Sequence, residues 1–310
     1  MGHDIYRTDQ GRLNPFHRYP ASVFLFTFTT MLNDLIKQLS QQLTSIYGSR
    51  EANNIAQYLA EEHFGKPLVR SNPTLDMEQL HWWETASKRL LSNEPVQYVL
   101  GKAWFYGRKL KVDPSTLIPR PETEELVELI LKENNSSNPT ILDIGCGSGC
   151  IALTLKLEIP NSEVFALDKS TGALEVTRTN AALYNAHLTL LEADMLNPEP
   201  WEAQLPQFDI IVSNPPYIAP EDKKTMENNV LMFEPMSALF AEHADPLVFY
   251  REISRFATKK LKPGGKLYFE IPHNKAETIE EIVKSYGFEE IRILQDMQGN
   301  DRMLTAIFPQ

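Results

Sequence analysis

Four consecutive residues, Asn214-Pro215-Pro216-Tyr217, carry the most specific chemistry in the chain. They follow Phe208-Asp209-Ile210-Ile211-Val212-Ser213, an apolar run that reads as a buried strand. In open α/β sheets ligands sit at the carboxyl ends of strands, so the tetrapeptide stands where chemistry is expected. Two successive prolines remove two backbone donors and stiffen the chain, which leaves the Asn214 and Pro215 carbonyls to accept hydrogen bonds. A planar –NH₂ group has two donors, and these two acceptors would hold both, in line with an electrophile. Tyr217 offers a flat face on which a planar group can stack. No strong general base is needed on this reading. The nitrogen lone pair attacks, the acceptors stabilise the developing positive charge, and the proton leaves later. A lone Asn-Pro dipeptide would be an ordinary turn; this one continues into four residues behind the fourth strand of a strand–helix alternation.

The second informative stretch is Ile141-Leu142-Asp143-Ile144-Gly145-Cys146-Gly147-Ser148-Gly149, an apolar strand that runs into a glycine-rich turn with a helix beginning at once. Glycines let a ligand lie against the turn and the helix N-terminus. The spacing is G-x-G-x-G, unlike the G-x-G-x-x-G of dinucleotide binders. Gly145, Cys146, Gly147 and Gly149 are therefore candidate cofactor contacts. The carboxylate of Asp143 suits a ligand with an amine and disfavours a pyrophosphate; S-adenosylmethionine, with an ammonium and a sulfonium, fits. The next strand ends at Asp168, about twenty residues on, where an acid can accept from both ribose hydroxyls. The third ends in Glu192-Ala193-Asp194-Met195, which places Asp194 to accept from an adenine amino group with Met195 or Ala193 against the ring. Each acid alone could be a loop cap. Three at three successive strand ends, after this turn, form a cofactor site.

The elements that must position these residues alternate. Strands are predicted over 140–144, 163–167, 188–191, 209–213 and 266–271, with helices over 151–157, 171–184 and 246–260 between them; a helix over 275–286 leads to strands over 291–295 and 303–308. This order predicts a parallel sheet covered on both faces, with a reversed strand closing its edge. From Met31 to about Leu91 the pattern is instead helical: Leu32, Leu35, Ile36, Leu39 and Leu43 recur at three and four residues. Ser49 would cap a second helix and Pro73-Thr74 would open a third. Between Pro95 and Pro121, the alternation of Val96, Tyr98 and Leu100 with punctuation by Gly101 and Gly107 predicts a β-hairpin linker. The expected division is an N-terminal extension (1–30), a helical domain (31–93), the hairpin (94–121) and an α/β domain (122–310).

Composition narrows the partners. A net charge of −11 argues against gripping long nucleic acid, which rests on lysines and arginines neutralising phosphates. The two cysteines, Cys146 and Cys150, lack further ligands for zinc and suit a reducing cytoplasm. The apolar stretch Ala21 to Thr30 is shorter than the ~18–20 residues of a membrane span, and without a small-residue cleavage site after it a secretory signal is poorly supported. No metal and no membrane association are expected.

Gly145–Gly149 together with Asn214–Tyr217 resemble the class I amino-methyltransferases, whose members act on adenine-N6, guanine-N2 or glutamine nitrogen. Glu94-Pro95-Val96-Gln97-Tyr98, Phe105-Tyr106-Gly107, Ile118-Pro119-Arg120-Pro121-Glu122-Thr123-Glu124, and Phe233-Glu234-Pro235 with Ala238-Leu239 are similar to the HemK-type (PrmC) protein-glutamine methyltransferases. The resemblance runs from Met31 to the C-terminus. It implies an α/β, Rossmann-like, seven-stranded methyltransferase domain behind a small all-α domain and a hairpin. It implies S-adenosylmethionine as cofactor and, as partner, the class I peptide-chain release factors, methylated on the glutamine amide of their Gly-Gly-Gln motif by a monomeric enzyme in the cytoplasm. Asn214 and the Pro215 carbonyl would bind that amide, with Pro216 and Tyr217 beside it. Phe105, Arg120, Pro121 and Thr123 would edge the pocket, and Gly145, Asp168, Asp194 and Asn214 would face the cofactor. Three rivals are weighed against this. A nucleic-acid amino-methyltransferase shares the tetrapeptide but would add a basic recognition region. A non-catalytic scaffold has no need of an intact Asn214–Tyr217, and a nicotinamide-linked oxidoreductase is disfavoured by the glycine spacing.

Overall fold

The computed structural model describes residues 30–218, 223–224, 226, 228–241 and 245–310. The expected extension, including the apolar stretch before Thr30, lies outside these residues.

The first third is helical: α1 (Leu32–Phe64), α2 (Lys66–Ser71), α3 (Met77–Leu91) and the single-turn α4 (Val96–Leu100). Leu32, Leu35, Leu39 and Leu43 bury one face of α1, as their spacing requires, against Leu59, Trp83, Leu90 and Val99. α1 is broken at Gly48, whose φ of 74° and ψ of 161° are not helical, so two helices meet there end to end. The third helix starts four residues later than Pro73-Thr74 suggests, because Asp76 forms a reciprocal capping box with Gln79. Val96, Tyr98 and Leu100 are not a strand. Their residues coil into α4, with Tyr98 and Val99 N–H bonded to the Pro95 carbonyl and Gly101 as a left-handed cap. A helix turn sends Val99 into the helical core and Tyr98 into a separate cluster with Ala103, Val112 and Ile118, which alternation on a strand could not do.

The hairpin itself is β1 (Lys102–Phe105) and β2 (Arg108–Lys111), paired antiparallel. Its two-residue turn, Tyr106-Gly107, has positive φ at both positions, the geometry that matches strand twist. Glu62 of α1 receives Lys102, Lys109 and Trp104 and so ties the hairpin to the helices.

The rest alternates: α5 (Pro121–Glu133), β3 (Thr140–Ile144), α6 (Cys150–Glu158), β4 (Glu163–Asp168), α7 (Thr171–Leu183), β5 (Thr189–Glu192), α8 (Glu199–Glu202), β6 (Phe208–Ser213), α9 (Asn228–Phe233), α10 (Met236–Leu239), α11 (Val248–Lys260), β7 (Leu261–Glu270), α12 (Ala276–Ser285), β8 (Glu289–Gln295) and β9 (Asp301–Ile307). The sheet has seven strands in the order β5-β4-β3-β6-β7-β9-β8. Successive residues face opposite layers: Leu142, Ile211 and Leu267 pack with Tyr250, Ile253 and Ile279 on one side, Ile141, Ile210 and Tyr268 with Leu126, Ile130 and Ile151 on the other. The strands are parallel except β9, which is antiparallel to both neighbours. The reversed strand therefore does not close the edge, as the sequence suggests. It slots between β7 and β8, and β8 is the edge. A strand order is set by which crossover leaves a gap, which no local pattern encodes.

Candidate active site

Strand order reverses direction between β3 and β6, which are adjacent although β4 and β5 fill the other side of β3. A crevice at the carboxyl ends of such a pair is the expected ligand position in this architecture. The glycine loop follows β3 and Asn214-Pro215-Pro216-Tyr217 follows β6, so the topology alone brings the two stretches together. Between them lies a cleft enclosing about 990 Å³, its mouth included. Gly145, Cys146, Gly147, Asp168, Asp194, Met195, Asn214, Pro215 and Pro216 line it, together with Arg120 and Thr123.

The glycines do two different jobs. At Gly145 and Gly147 an added Cβ would meet no atom within 4 Å, so the loop presents bare backbone to open space. At Gly149 an added Cβ would lie 2.7 Å from Thr177 Cγ2 of α7, and its φ is 77°. Gly149 is thus a packing position and does not line the cleft. Gly149→Ala is expected to cost more than ~1 kcal/mol of stability, from left-handed strain plus the clash, whereas Gly145→Ala meets only the strain. Thermal melts of the two variants would show it.

Backbone donors hold the loop in place. Gly145 and Cys146 N–H both reach the Leu167 carbonyl, at 2.8 and 3.0 Å. Asp168 Oδ2 accepts from Gly147 N (2.9 Å) and Oδ1 from Ser170 N (2.9 Å). Asp194 Oδ1 accepts from Leu196 N at 2.9 Å. Both acids lie on the cleft wall. Asp143 does not: it is 0% exposed, faces α6, and accepts from Ala152 N at 3.0 Å, with Oδ1 unpartnered. It is a carboxyl buried beneath the loop.

The linker before α5 stitches the rest together. Glu234, in the Phe233-Glu234-Pro235 motif, is 4% exposed and accepts from Ile118 N and from Arg120 Nη2 at 2.6 Å. Glu124 accepts from Tyr106 N and Glu128 from the Tyr106 hydroxyl, which clamps the hairpin on α5. Phe105, expected at the pocket edge, is instead 1% exposed in the core with Leu110 and Leu126, because hairpin pairing turns it inward. Pro121 is the first residue of α5 and is exposed, away from the cleft. Thr123 Oγ1 donates to Glu270 Oε2 (2.6 Å) and accepts from Asn214 Nδ2 (3.3 Å). A second cavity, lined by Tyr217, Ile218, Val230 and Glu270, shares Asn214, Pro215 and Arg120 with the first. Two openings therefore meet at Asn214-Pro215.

Glu270 is the residue that reading the sequence missed. It ends β7 within Leu267-Tyr268-Phe269-Glu270-Ile271, and an acid at the end of an apolar strand is the same signal that marks Asp168.

Burial raises three carboxyls at this end of the sheet: Asp143 to about 7, Glu270 to about 7, and Asp168 upward. Between the ordinary glutamate value of 4.5 and about 7, folded Glu270 holds a proton that the unfolded chain has released. Stability from this source is present at low pH and lost as pH rises through that window. The melting temperature of the ligand-free protein is expected to fall between pH 5 and 8, and Asp143→Asn or Glu270→Gln to flatten the slope.

Known proteins resemble this chain over most of its length. The methyltransferase small domain matches residues 122–298, and the PrmC N-terminal domain matches residues 34–101. The chain is 43% identical over 280 residues to the release factor glutamine methyltransferase of Flavobacterium psychrophilum, covering 87% of this chain and 97% of that protein. It is 38% identical over 284 residues to that of Bacteroides thetaiotaomicron, covering 89% and 99%. The chain belongs to the release factor glutamine methyltransferase family.

Proposed function

We propose that this protein transfers a methyl group from S-adenosylmethionine to the side-chain amide nitrogen of the glutamine in the Gly-Gly-Gln motif of class I peptide-chain release factors. The observation that carries the proposal is the meeting of two openings at Asn214-Pro215, one walled by the glycine loop and acids, the other by Tyr217 and Glu270.

The first opening fits a cationic nucleoside. Asp168 and Asp194 would repel a pyrophosphate, and the bare backbone at Gly145 and Gly147 admits a ligand where any side chain would intrude. Asp168 would hold the ribose, Asp194 and Met195 the adenine, and Asp143, raised to about 7 by burial, would lose its proton more readily with a cation above it. When bound, S-adenosylmethionine supplies a methyl group activated by its positive sulfur. The protein's part is to present the nitrogen. Asn214 and the Pro215 carbonyl accept the two amide protons and so fix the lone pair toward the first opening. Their partial negative charge stabilises the positive charge that grows on nitrogen. Tyr217 packs beside the amide; burial pushes its phenol up to about 12, so it stays neutral and serves as a surface. Arg120, fixed by Glu234, borders both openings. A translation factor as substrate sets the reaction in the cytoplasm, and the helices and hairpin would help dock it.

Mass spectrometry of a class I release factor after incubation with the protein and labelled cofactor tests this directly. One methyl on the Gly-Gly-Gln glutamine is expected. Label entering DNA or ribosomal RNA in parallel reactions, with none on the release factor, would overturn it.

A further inference from the structure

An asparagine side chain has an accepting end and a donating end, and only the accepting end can hold a substrate N–H. Something must decide which end faces the cavity. Asn214 leans on Thr123, and Thr123 on Glu270, the acid at the end of β7 that the proposed transfer does not otherwise use; the Asn214 side chain also reaches Glu270 directly, which again calls for its N–H end on that side. Thr123 and Glu270 are each 2% exposed, so water competes little for the bond between them. A threonine hydroxyl has one proton. Here it is committed to Glu270 Oε2 at 2.6 Å, so the hydroxyl oxygen can only accept from its other neighbour. Asn214 accordingly presents Nδ2 to Thr123, at 3.3 Å, and its Oδ1 remains for a ligand. The reverse orientation would set carbonyl oxygen against hydroxyl oxygen in a dry site, which leaves buried polar atoms unpaired.

We infer that Glu270 is a positioning residue: through the Thr123 hydroxyl it fixes the Asn214 amide with its oxygen toward the reacting nitrogen. This rests on the methyl-transfer reading above and adds to it the group that polarises the acceptor pair.

The chain of bonds has a direction that a proton reverses. Protonated Glu270 donates to the Thr123 oxygen, the Thr123 hydroxyl keeps its proton and is free to donate a hydrogen bond to Asn214 Oδ1, and the amide turns its oxygen inward. Burial brings the Glu270 carboxyl to about 7, where this reversal falls within the working range. The groups around it act in opposite senses. Arg302 of β9 favours the charged form and Glu122 of α5 opposes it, while the Tyr217 and Tyr250 phenols and the Cys150 thiol of α6 are held neutral by burial.

The full chain, S-adenosylmethionine and a class I release factor test the inference, with Thr123→Val, Thr123→Ser and Glu270→Gln as variants. Thr123→Val keeps the shape and deletes the hydroxyl; kcat is expected to fall roughly 10- to 100-fold, the usual effect of removing an orienting partner, with KM and cofactor affinity within about twofold. Thr123→Ser restores kcat. Wild-type kcat rises with pH through the neutral range, and Glu270→Gln loses that rise. A second readout needs no turnover: the Asn214 side-chain amide resonance, followed by NMR, shifts near neutral pH in the wild type and not in Glu270→Gln. Wild-type turnover with kcat of Thr123→Val and Glu270→Gln within twofold of it would overturn the inference and spare the assigned reaction. No methyl on the release factor with wild type would overturn the reaction, and the resonance then judges Glu270 alone. Should a variant fail to fold, a wild-type resonance that does not titrate is enough to reject the inference.

Discussion

Asn214→Ala is expected to bind S-adenosylmethionine with near-normal affinity and to lose methyl transfer by roughly 10²–10³-fold, the effect of deleting one preorganised group that meets charge developing in a transition state. The expectation follows from position. Asn214 stands where the two openings meet, and its side chain is backed by Thr123 and Glu270, while the loop and acids of the first opening are built from other strands. Removing the side chain takes one of two acceptors from the substrate nitrogen and leaves Asp168, Asp194 and the glycine backbone intact. Calorimetry for the cofactor and single-turnover methylation of the release factor separate the two effects. Near-normal turnover would remove Asn214 from the chemistry; a scaffold would show no methyl transfer in wild type or variant alike.

Asp168→Ala should do the opposite. A hydrogen bond to a charged group contributes about 1.5–3 kcal/mol, so losing those from Asp168 to a ribose weakens cofactor affinity by roughly 10- to 100-fold. Asp168 also accepts from Gly147 N and Ser170 N, so part of the loss comes from a loosened loop. Asp168→Asn sorts the two contributions: one amide oxygen can keep one backbone bond, so its affinity should fall between those of wild type and Asp168→Ala. Release-factor docking, measured without cofactor, should hardly change, because Asp168 borders only the first opening. Unchanged cofactor affinity in Asp168→Ala would take this acid out of the site.

The ion pair of partly exposed Arg120 with buried Glu234 links these predictions to the linker motif. The motif residues quoted for their resemblance are mostly clamps. Glu94 receives Arg89 from α3, Glu124 the hairpin turn, Glu234 the Ile118 backbone and Arg120. Arg120, which borders both openings, is held there by Glu234, which lines neither.

Local pattern was enough for much of this protein. Glycine spacing, the tetrapeptide after an apolar strand, the acids at strand ends and the strand–helix alternation depend on neighbours in the chain, and so could be read along it. Tertiary structure decided what depends on facing and order. Asp168 is the last residue of β4, whereas Asp143 lies inside β3, paired across from Ala166, two residues short of the level of Asp168. Both point to the same face of the sheet, but Asp143 stops beneath the start of α6 and Asp168 reaches past it to the cleft wall. Phe105 and Pro121 were expected at the pocket and lie in the core and at an exposed helix start, because the hairpin and α5 rotate them away. Val96–Leu100 alternates like a strand and folds as a turn of helix, since Pro95 supplies the first accepting carbonyl and Gly101 the cap. Glu270 was legible as an acid and became meaningful only beside Thr123, 147 residues away. Residue type and spacing settle what chemistry a chain can carry, because they act through local geometry. Which side chains share a cavity is settled by strand order and packing, because contacts across the sheet join residues that no local pattern relates.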